Sequence, residues 1–394
     1  MTVINLHIFP TNIENQTRLF KEVIFTTSRN IVDRVVVMGL WHDGQQLCET
    51  ISDKIEINRV RVILRRYRHA SLVRKFVIVR KILAFISILE YFLFAIHKAK
   101  ELKPHFISCH YVTMLPLCWA AARISGATLE YLPHELETQR SGLTGIRKKI
   151  DTWIEQWFVH RARNVVVVCD PIRDWYRDRY GLTNLHVVRN VPEQDAVQVR
   201  EIPEGSLRQK FNIPDSARVF IYQGLFSPGR GIETLIEAFK RLDPARSHIV
   251  FMGYGDDGSQ ASIDVAAAAC ANIHFQPAVA REWIISYSHS ADIGLWISEK
   301  AALSYRYALP NKFFEYAHAG VPMLVSENLE YQANLLTQGG FGWATPLDRL
   351  EQTLTELSEI DLSPFVTKAR DYAAAAVWEE DARAFATVYC RADG

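Results

Sequence analysis

The 394-residue chain has no Cys-x-x-Cys pair, no Asp-x-Asp triplet and no excess of either charge sign. It also lacks any run of about 18 uncharged apolar residues, the length that crosses a bilayer. Six scattered cysteines (Cys48, Cys109, Cys118, Cys169, Cys270, Cys390) exclude a zinc ribbon, a redox pair and a disulfide framework, and fit a reducing compartment. A formal net charge of +1 excludes a uniformly basic nucleic-acid coat. With 48% hydrophobic and 23% charged residues the composition is that of a globular chain, not of a disordered or fibrous one. The N-terminus, Met1 to Pro10, lacks the basic-then-apolar order of a signal peptide and reads as a first strand.

What is present is alternation. Val3–Phe9, Arg34–Gly39, His105–Cys109, Thr128–Leu132, Asn164–Cys169 and Leu185–Val188 are short apolar runs separated by helical patterns such as Leu115–Ile124 and Ile146–Arg161. Near-continuous apolar strands predict parallel sheets covered on both faces, hence a doubly wound α/β architecture. Residues 191–205 are polar, hold two prolines and read as a linker. Alternation then resumes from Val219. The predicted organisation is a domain over 1–190, the linker over 191–205, a second domain over 206–376, and a C-terminal helix over 377–394 that crosses back to the first. Open α/β sheets bind ligands beyond the carboxyl ends of their strands, so two such domains predict a ligand-binding cleft.

From Asn58 to Leu89 there is no acidic residue, while Arg59, Arg61, Arg65, Arg66, Arg68, Arg74, Lys75, Arg80 and Lys81 are interleaved with apolar positions. That pattern suits an anionic bilayer face. The alternative is a solvated helix face over a core helix.

Four stretches carry chemistry. In Leu309–Ser326, Asn311 is placed to cap a helix, and Lys312 and Glu315 share one face near its N-terminus. Free N–H groups there favour phosphate, and a carboxylate can accept two ribose hydroxyls. The alternative is a capped core helix with an exposed ion pair. In Phe220–Phe239, a strand ends at Gln223–Gly224, and a Gly/Pro/Ser loop leads through Arg230 to a helix, which suits phosphate. The run Gly253–Gly258 matches G-x-G-x-x-G. It brings Asp256 and Asp257 toward any pyrophosphate and no acidic residue at the ribose position, which argues against a dinucleotide. In Leu129–Leu136, His134 stands at a strand end, placed to donate a hydrogen bond or shuttle a proton.

Taken together these stretches resemble the retaining glycosyltransferases of family 4, which have the GT-B fold of two Rossmann-like domains facing a central cleft. His134-Glu135 resembles the family's site after an N-domain strand, and Asn190-Val-Pro its inter-domain junction. Gly224 with Arg230-Gly231 resembles its phosphate loop, and Leu309-Pro-Asn-Lys-Phe-Phe-Glu-Tyr with Ala-Gly-Val-Pro is the most specific element. The resemblance implies that Glu315 is the second Glu of an E-x7-E motif and holds the nucleotide ribose. The first Glu is replaced by Tyr307, an Arg after the loop glycine by Leu225, and the N-terminal Gly-rich loop by Thr11–Arg18. Arg18, Arg306 or Lys312 would then supply the lost positive charge.

The implied function is transfer of a hexosyl group from a nucleoside-diphosphate sugar to a saccharide or a polyprenyl-diphosphate-linked acceptor in surface-polysaccharide synthesis, with retention. No cofactor and no metal is expected. His134, Arg230 and Lys312 are the expected catalytic residues. Gly224, Arg230, Lys312, Glu315, Tyr307 and Asn311 would bind the donor, and Arg18 and Glu135 the acceptor. The expected location is cytoplasmic, peripheral on the inner face of the plasma membrane. The rival readings are a non-catalytic GT-B subunit and a nucleotide-sugar epimerase.

Overall fold

The computed structural model describes residues 2–14, 16–62, 77–193 and 197–390. The chain divides into two units, one of Met1–Val188 with Asp381–Gly394 and one of Arg189–Glu380.

The first unit is built on β1 (Ile4–Ile8), β2 (Arg34–Leu40), β3 (Cys48–Ser52), β4 (Ile55–Val60), β5 (Phe106–Cys109), β6 (Thr128–Tyr131), β7 (Asn164–Val167) and β8 (Leu185–Val187). They form one sheet in the order β3-β4-β2-β1-β5-β6-β7-β8. Every neighbouring pair is parallel except β3 with β4. The six runs expected from the sequence are all strands. The edge pair β3–β4 was not expected, because β3 is almost wholly exposed and β4 alternates buried with half-buried positions. Neither has the continuous apolar run that marks a covered parallel strand.

Four helices of this unit matter below: α1 (Thr17–Ser28), α2 (Val77–Leu102), α3 (Leu115–Ser125) and α4 (Gly145–Phe158). Helix α3 packs against both α2 and α4. The Tyr91 hydroxyl of α2 donates to the Phe9 carbonyl at 2.6 Å, fixing that helix over β1. The C-terminal stretch packs into the same unit: Arg163 Nη1 donates to the Cys390 carbonyl at 2.7 Å, and Tyr389 Oη shares a hydrogen bond with Glu22 Oε1 at 2.7 Å.

Much of the acid-free segment lies outside the described residues, including Arg65, Arg66, Arg68, Arg74 and Lys75; of the side chains of Arg80 and Lys81 nothing is described. Arg59 is not part of a basic surface. It is buried, with Nη2 2.7 Å from Glu49 and Nη1 donating to the Gln46 carbonyl at 3.0 Å. The Arg61 guanidinium lies 4.6 Å from the Trp41 ring centroid.

The second unit is a six-stranded, wholly parallel sheet in the order β11-β10-β9-β12-β13-β14. Its strands are β9 (Arg218–Phe226), β10 (Ser247–Gly255), β11 (Ile273–Pro277), β12 (Ile293–Trp296), β13 (Met323–Ser326) and β14 (Gly342–Thr345). The helices that matter are α5 (Ile232–Phe239), α6 (Asp257–Ala269), α7 (Leu303–Tyr307) and α8 (Asn311–His318). Phe220, Tyr222, Phe226, Phe239 and Phe251 anchor the core between sheet and helices. Strand β9 runs three residues past the expected end at Gln223, because β10 pairs with it to Gly255↔Phe226.

Gly294 on β12 leaves room for Tyr316 of α8: a Cβ there would lie 2.6 Å from the Tyr316 ring. Tyr316 in turn accepts from the Gln223 backbone N–H at 2.9 Å and donates to the Ile221 carbonyl at 3.0 Å. A Gly294→Ala substitution therefore overpacks this seam. Overpacking typically costs about 1–3 kcal/mol. Urea titration should show a lower midpoint; an unchanged midpoint would contradict the packing described.

Candidate active site

A cavity of 460 Å³ opens at the carboxyl end of β9 and β10 in the second unit. Such ends are where open parallel sheets present ligand sites. Gly224, Arg230, Asn311, Lys312 and Glu315, distant in sequence, all line it. Ala278 and Val279 close another side.

Lys312 is the least ordinary of these. It lies in the first turn of α8, 9% exposed, and its Nζ has no hydrogen-bond partner. The ammonium rests 4.3 Å from the Tyr222 ring centroid and 5.6 Å from that of Trp296. Cation–π contact offsets part of the lost hydration but supplies no counter-charge. Burial, reinforced by the Arg230 guanidinium and opposed by Glu315, pulls its pKa down to about 7. The exposed Lys312–Glu315 ion pair of the alternative sequence reading is not what forms.

Glu315, one turn on, is held by its own partner. Its Oε2 accepts from Gln223 Nε2, and Gln223 is fixed by Ser288 Oγ, which donates to Oε1 at 2.6 Å. A carboxylate so anchored is oriented toward the cavity that both residues line. Arg230 Nη2 donates to Tyr305 Oη at 2.6 Å, and the guanidinium lies 5.5 Å from that ring's centroid.

Asn311 does not cap α8. Pro310 is the N-cap residue, and Asn311 Oδ1 accepts from Asn190 Nδ2 at 2.5 Å, so the side chain is committed sideways. Tyr307 does not line the cavity. Residues two apart on a helix lie about 200° apart, so on α7 it is Tyr305 that meets Arg230. Arg306 pairs with Glu330. The Gly253–Gly258 run is explained by packing. A Cβ at Gly253 would lie 1.9 Å from the Gly224 carbonyl oxygen, and the Asp256 carboxylate caps α6 by accepting from Ser259 N at 2.8 Å.

His134, Glu135 and Arg18 belong to the first unit. His134 follows β6 and is partly exposed; its Nε2 lies 3.0 Å from His110 Nδ1. Burial, with Arg18 and His7 adding to it, pushes its pKa down to about 3, so the ring is neutral at pH 7. Arg18 is 4% exposed, and none of its three guanidinium nitrogens has a hydrogen-bond partner. Glu135 is more open, 3.7 Å from Arg140 Nη1.

One group of metal-ligating side chains is found among the described residues: His7, Glu22 and His110 bring one ligand atom each within 4.8 Å of one another. His7 Nδ1 and His110 Nε2, however, lie 2.9 Å apart and share a hydrogen, and His7 Nε2 is taken by Asn5. Neighbouring Arg18 adds positive charge. The donor set fits hydrogen bonding better than a cation.

The sequence reading missed Gln223, Tyr222, Trp296 and Tyr305. Only Gln223 had a signal, its place at an expected strand end.

Lys312 generates a prediction with a definite sign. In the empty protein its pKa is about 7, below the ordinary lysine value. The buried charge therefore destabilises fully below pH 7, and the penalty is relieved as pH rises toward 10, where the unfolded chain holds the extra proton. A bound anion raises the pKa again. Titration calorimetry with pyrophosphate at pH 8, in buffers of differing ionisation enthalpy, should show uptake of most of one proton, abolished in Lys312→Gln. Binding without proton uptake would contradict this.

Comparison with known proteins follows the same lines. Residues 54–191 match the family model for Glycosyltransferase Family 4. Over 92 residues, 23% of this chain and 24% of that protein, the sequence is 33% identical to lipopolysaccharide 1,2-N-acetylglucosaminetransferase of Salmonella typhimurium. The matched part is thus about a quarter of that relative's length. In structure the chain is similar to sucrose-phosphate synthase of Thermosynechococcus elongatus, with TM-score 0.74 and 14% identity over 98% of both chains. It is also similar to Anabaena HepE solved with UDP, with TM-score 0.66 and 14% identity, again over 98% of both. The chain therefore has the GT-B fold read from its sequence, and its residues 54–191 are similar to the Glycosyltransferase Family 4 model.

Proposed function

We propose that the protein is a glycosyltransferase that moves a sugar, with retention, from a nucleoside-diphosphate sugar to a saccharide or lipid-linked acceptor in polysaccharide or lipopolysaccharide assembly. The observation that carries this is the cavity in which a buried, unpartnered ammonium (Lys312), a guanidinium (Arg230) and an anchored carboxylate (Glu315) stand together. Two cations against one carboxylate leave net positive charge in the cavity, which suits a diphosphate, and a carboxylate with an oriented oxygen suits ribose hydroxyls. Ala278 and Val279 offer an apolar wall for the base. HepE was solved with UDP-glucose, and this chain shares its fold at TM-score 0.68.

In the reaction the bond from the anomeric carbon to the diphosphate oxygen breaks, and one to the acceptor hydroxyl oxygen forms. The hydroxyl proton leaves with the diphosphate. Lys312 and Arg230 neutralise the charge that grows on the departing group, fixed in place before the reaction begins. That is work a divalent cation could do, and these side chains do it without one. His134 is the third proposed catalytic residue, its neutral ring able to donate a hydrogen bond to substrate or accept one from it. Arg18, buried without a partner, takes an anionic group of the acceptor.

A membrane surface is part of the proposal. None of the described helices is long and apolar enough to cross a bilayer. Helix α4 instead exposes Ile146, Ile150, Trp153 and Trp157, the tryptophans 57% and 55% exposed, at spacings of four, three and four. Helix α2, which also packs against α3, exposes Ile82, Ile86, Leu89 and Leu93 at the same spacings. Arg147, Lys148 and Lys149 accompany the α4 stripe, and the acid-free segment runs into the first half of α2. Apolar stripes with basic flanks match an anionic lipid face, with tryptophan at the interface.

Thermal-shift screening against UDP-, GDP-, ADP- and TDP-sugars, followed by a transfer assay, tests the function directly; transfer by the purified chain also disposes of the non-catalytic and epimerase readings. Arg230→Ala should lower turnover by about 100-fold or more, the scale of losing one charge-stabilising donor. Glu315→Ala should weaken donor binding by roughly 10–100-fold, as for hydrogen bonds to a charged group. Near-normal kinetics in a folded variant would remove that residue's role. A Trp153→Ser/Trp157→Ser double variant should lose most cosedimentation with anionic phospholipid vesicles; unchanged binding would defeat the membrane surface.

A further inference from the structure

The first unit contains an unbroken line of hydrogen-bonded side chains that the transfer reaction does not explain. It starts at Glu22 of α1, whose Oε1 is 2.7 Å from Tyr389 Oη. Tyr389 Oη lies 2.9 Å from Ser108 Oγ, and Ser108 Oγ 3.1 Å from Asn5 Oδ1. Asn5 Nδ2 is 2.9 Å from His7 Nε2, His7 Nδ1 is 2.9 Å from His110 Nε2, and His110 Nδ1 is 3.0 Å from His134 Nε2. The parallel register of β1 and β5 places Asn5 and His7 beside Ser108. Every member is buried except His134, which is partly exposed at the end of the line. Its Nδ1 is the nitrogen left for a substrate.

Each link holds one hydrogen, so the links must agree in direction. A neutral imidazole has one N–H and one lone pair. His7 and His110 spend both nitrogens on neighbours. Suppose the Asn5 amide donates to His7. Then His7 donates to His110, His110 donates to His134 Nε2, and His134 carries its hydrogen on Nδ1. The Asn5 oxygen then faces Ser108, which donates to it and must accept from Tyr389. Tyr389 has no hydrogen left for Glu22, so Glu22 must be protonated and donate. Turn the amide over and every link reverses. Asn5 donates to Ser108, Ser108 to Tyr389, and Tyr389 to an ionised Glu22, while His134 is left with a bare lone pair on Nδ1. A mixture of the two sets two oxygens face to face with no hydrogen between them, which a buried polar line does not tolerate.

We propose that Glu22 determines, through Tyr389, Ser108, Asn5, His7 and His110, which ring nitrogen of His134 carries its hydrogen. Protonated Glu22 makes Nδ1 a donor, and ionised Glu22 makes it an acceptor. The five intervening side chains are positioning residues. The balance is simple: each ring keeps one hydrogen, exchanged with water during local opening, and the single proton taken up resides on Glu22. The consequence for catalysis rests on the reading that His134 meets the substrate; the coupling itself does not.

The surroundings allow the switch near neutrality. Glu22 is faced by Arg18 one turn earlier on α1, by Tyr389 and by the His7 and His110 rings; Asp381 bears on Arg18. Burial pushes its carboxyl up to about 7, against the pull of Tyr389 and Arg18. Burial pushes His7 down to about 3 and holds His110 well below its ordinary value, so the rings stay neutral while Glu22 titrates.

Two-bond ¹⁵N–¹H spectra of the full chain, labelled in histidine, report the tautomer of each ring without substrate. Between pH 5.5 and 8.5 the patterns of His7, His110 and His134 should change together with one midpoint near 7. In Glu22→Gln the change should vanish. In Tyr389→Phe, or in Ser108→Ala should the former unfold, Glu22 can still titrate, but His134 should no longer follow it. Three rings that titrate separately, rings that do not change in the native chain, or a His134 change that survives a broken line would each overturn the proposal. Because the readout needs no donor or acceptor, failure of sugar transfer leaves it standing. Conversely, coupled tautomers with full transfer by His134→Ala would sink only the catalytic role.

Discussion

An ammonium ion buried against two aromatic rings, with no acceptor for its hydrogens, governs the second unit. The first turn of α8, which carries Lys312, is anchored by its next two residues, Phe313 and Phe314, which are fully buried. The helix is locked to the sheet by Tyr316, and the close approach at Gly294 allows that lock. Packing thus holds a charge where solvation alone would not. The unpaid electrostatic cost is a standing attraction for an anion, sharpened by Arg230 on the neighbouring loop. The same helix turn carries Glu315 in the orientation set by Gln223 and Ser288. Cation and carboxylate sit on one helix, which Tyr316 ties to β9.

The first unit repeats the principle with other parts. Arg18 is also buried and unpartnered, one turn from Glu22 on α1. Beside it the three histidines are kept neutral by burial, so they carry direction rather than charge. A neutral ring that donates or accepts according to a distant carboxyl is a finer instrument than a charged one, and it leaves the fixed positive charge to Arg18. Tyr389, near the end of the chain, is a member of that line, so the return of the chain to the first unit does more than close the fold.

The architecture was legible because parallel strands covered on both faces must be apolar throughout, and Arg34–Leu40 or Phe106–Cys109 are. The pair Cys48–Ser52 and Ile55–Val60 was not, since an exposed edge need not be apolar. Within the cavity, Lys312, Glu315 and Arg230 could be read because helix spacing and loop composition announce them. Asn311 was misread as a cap, because a capping residue type does not reveal that Asn190 competes for its oxygen. Tyr305 was passed over for Tyr307 because the E-x7-E spacing points to the residue eight before Glu315, and that spacing does not show which side of the short α7 meets Arg230. His7 and His110 are 103 residues apart. Only the register of two strands joins them, and no local pattern encodes a register.

The most direct test is a crystal structure of the full chain with UDP bound. The account predicts the diphosphate within hydrogen-bond distance of Lys312 Nζ and Arg230, and the ribose hydroxyls on Glu315. A nucleotide bound elsewhere, with Lys312 still unpartnered over Tyr222 and Trp296, would contradict it.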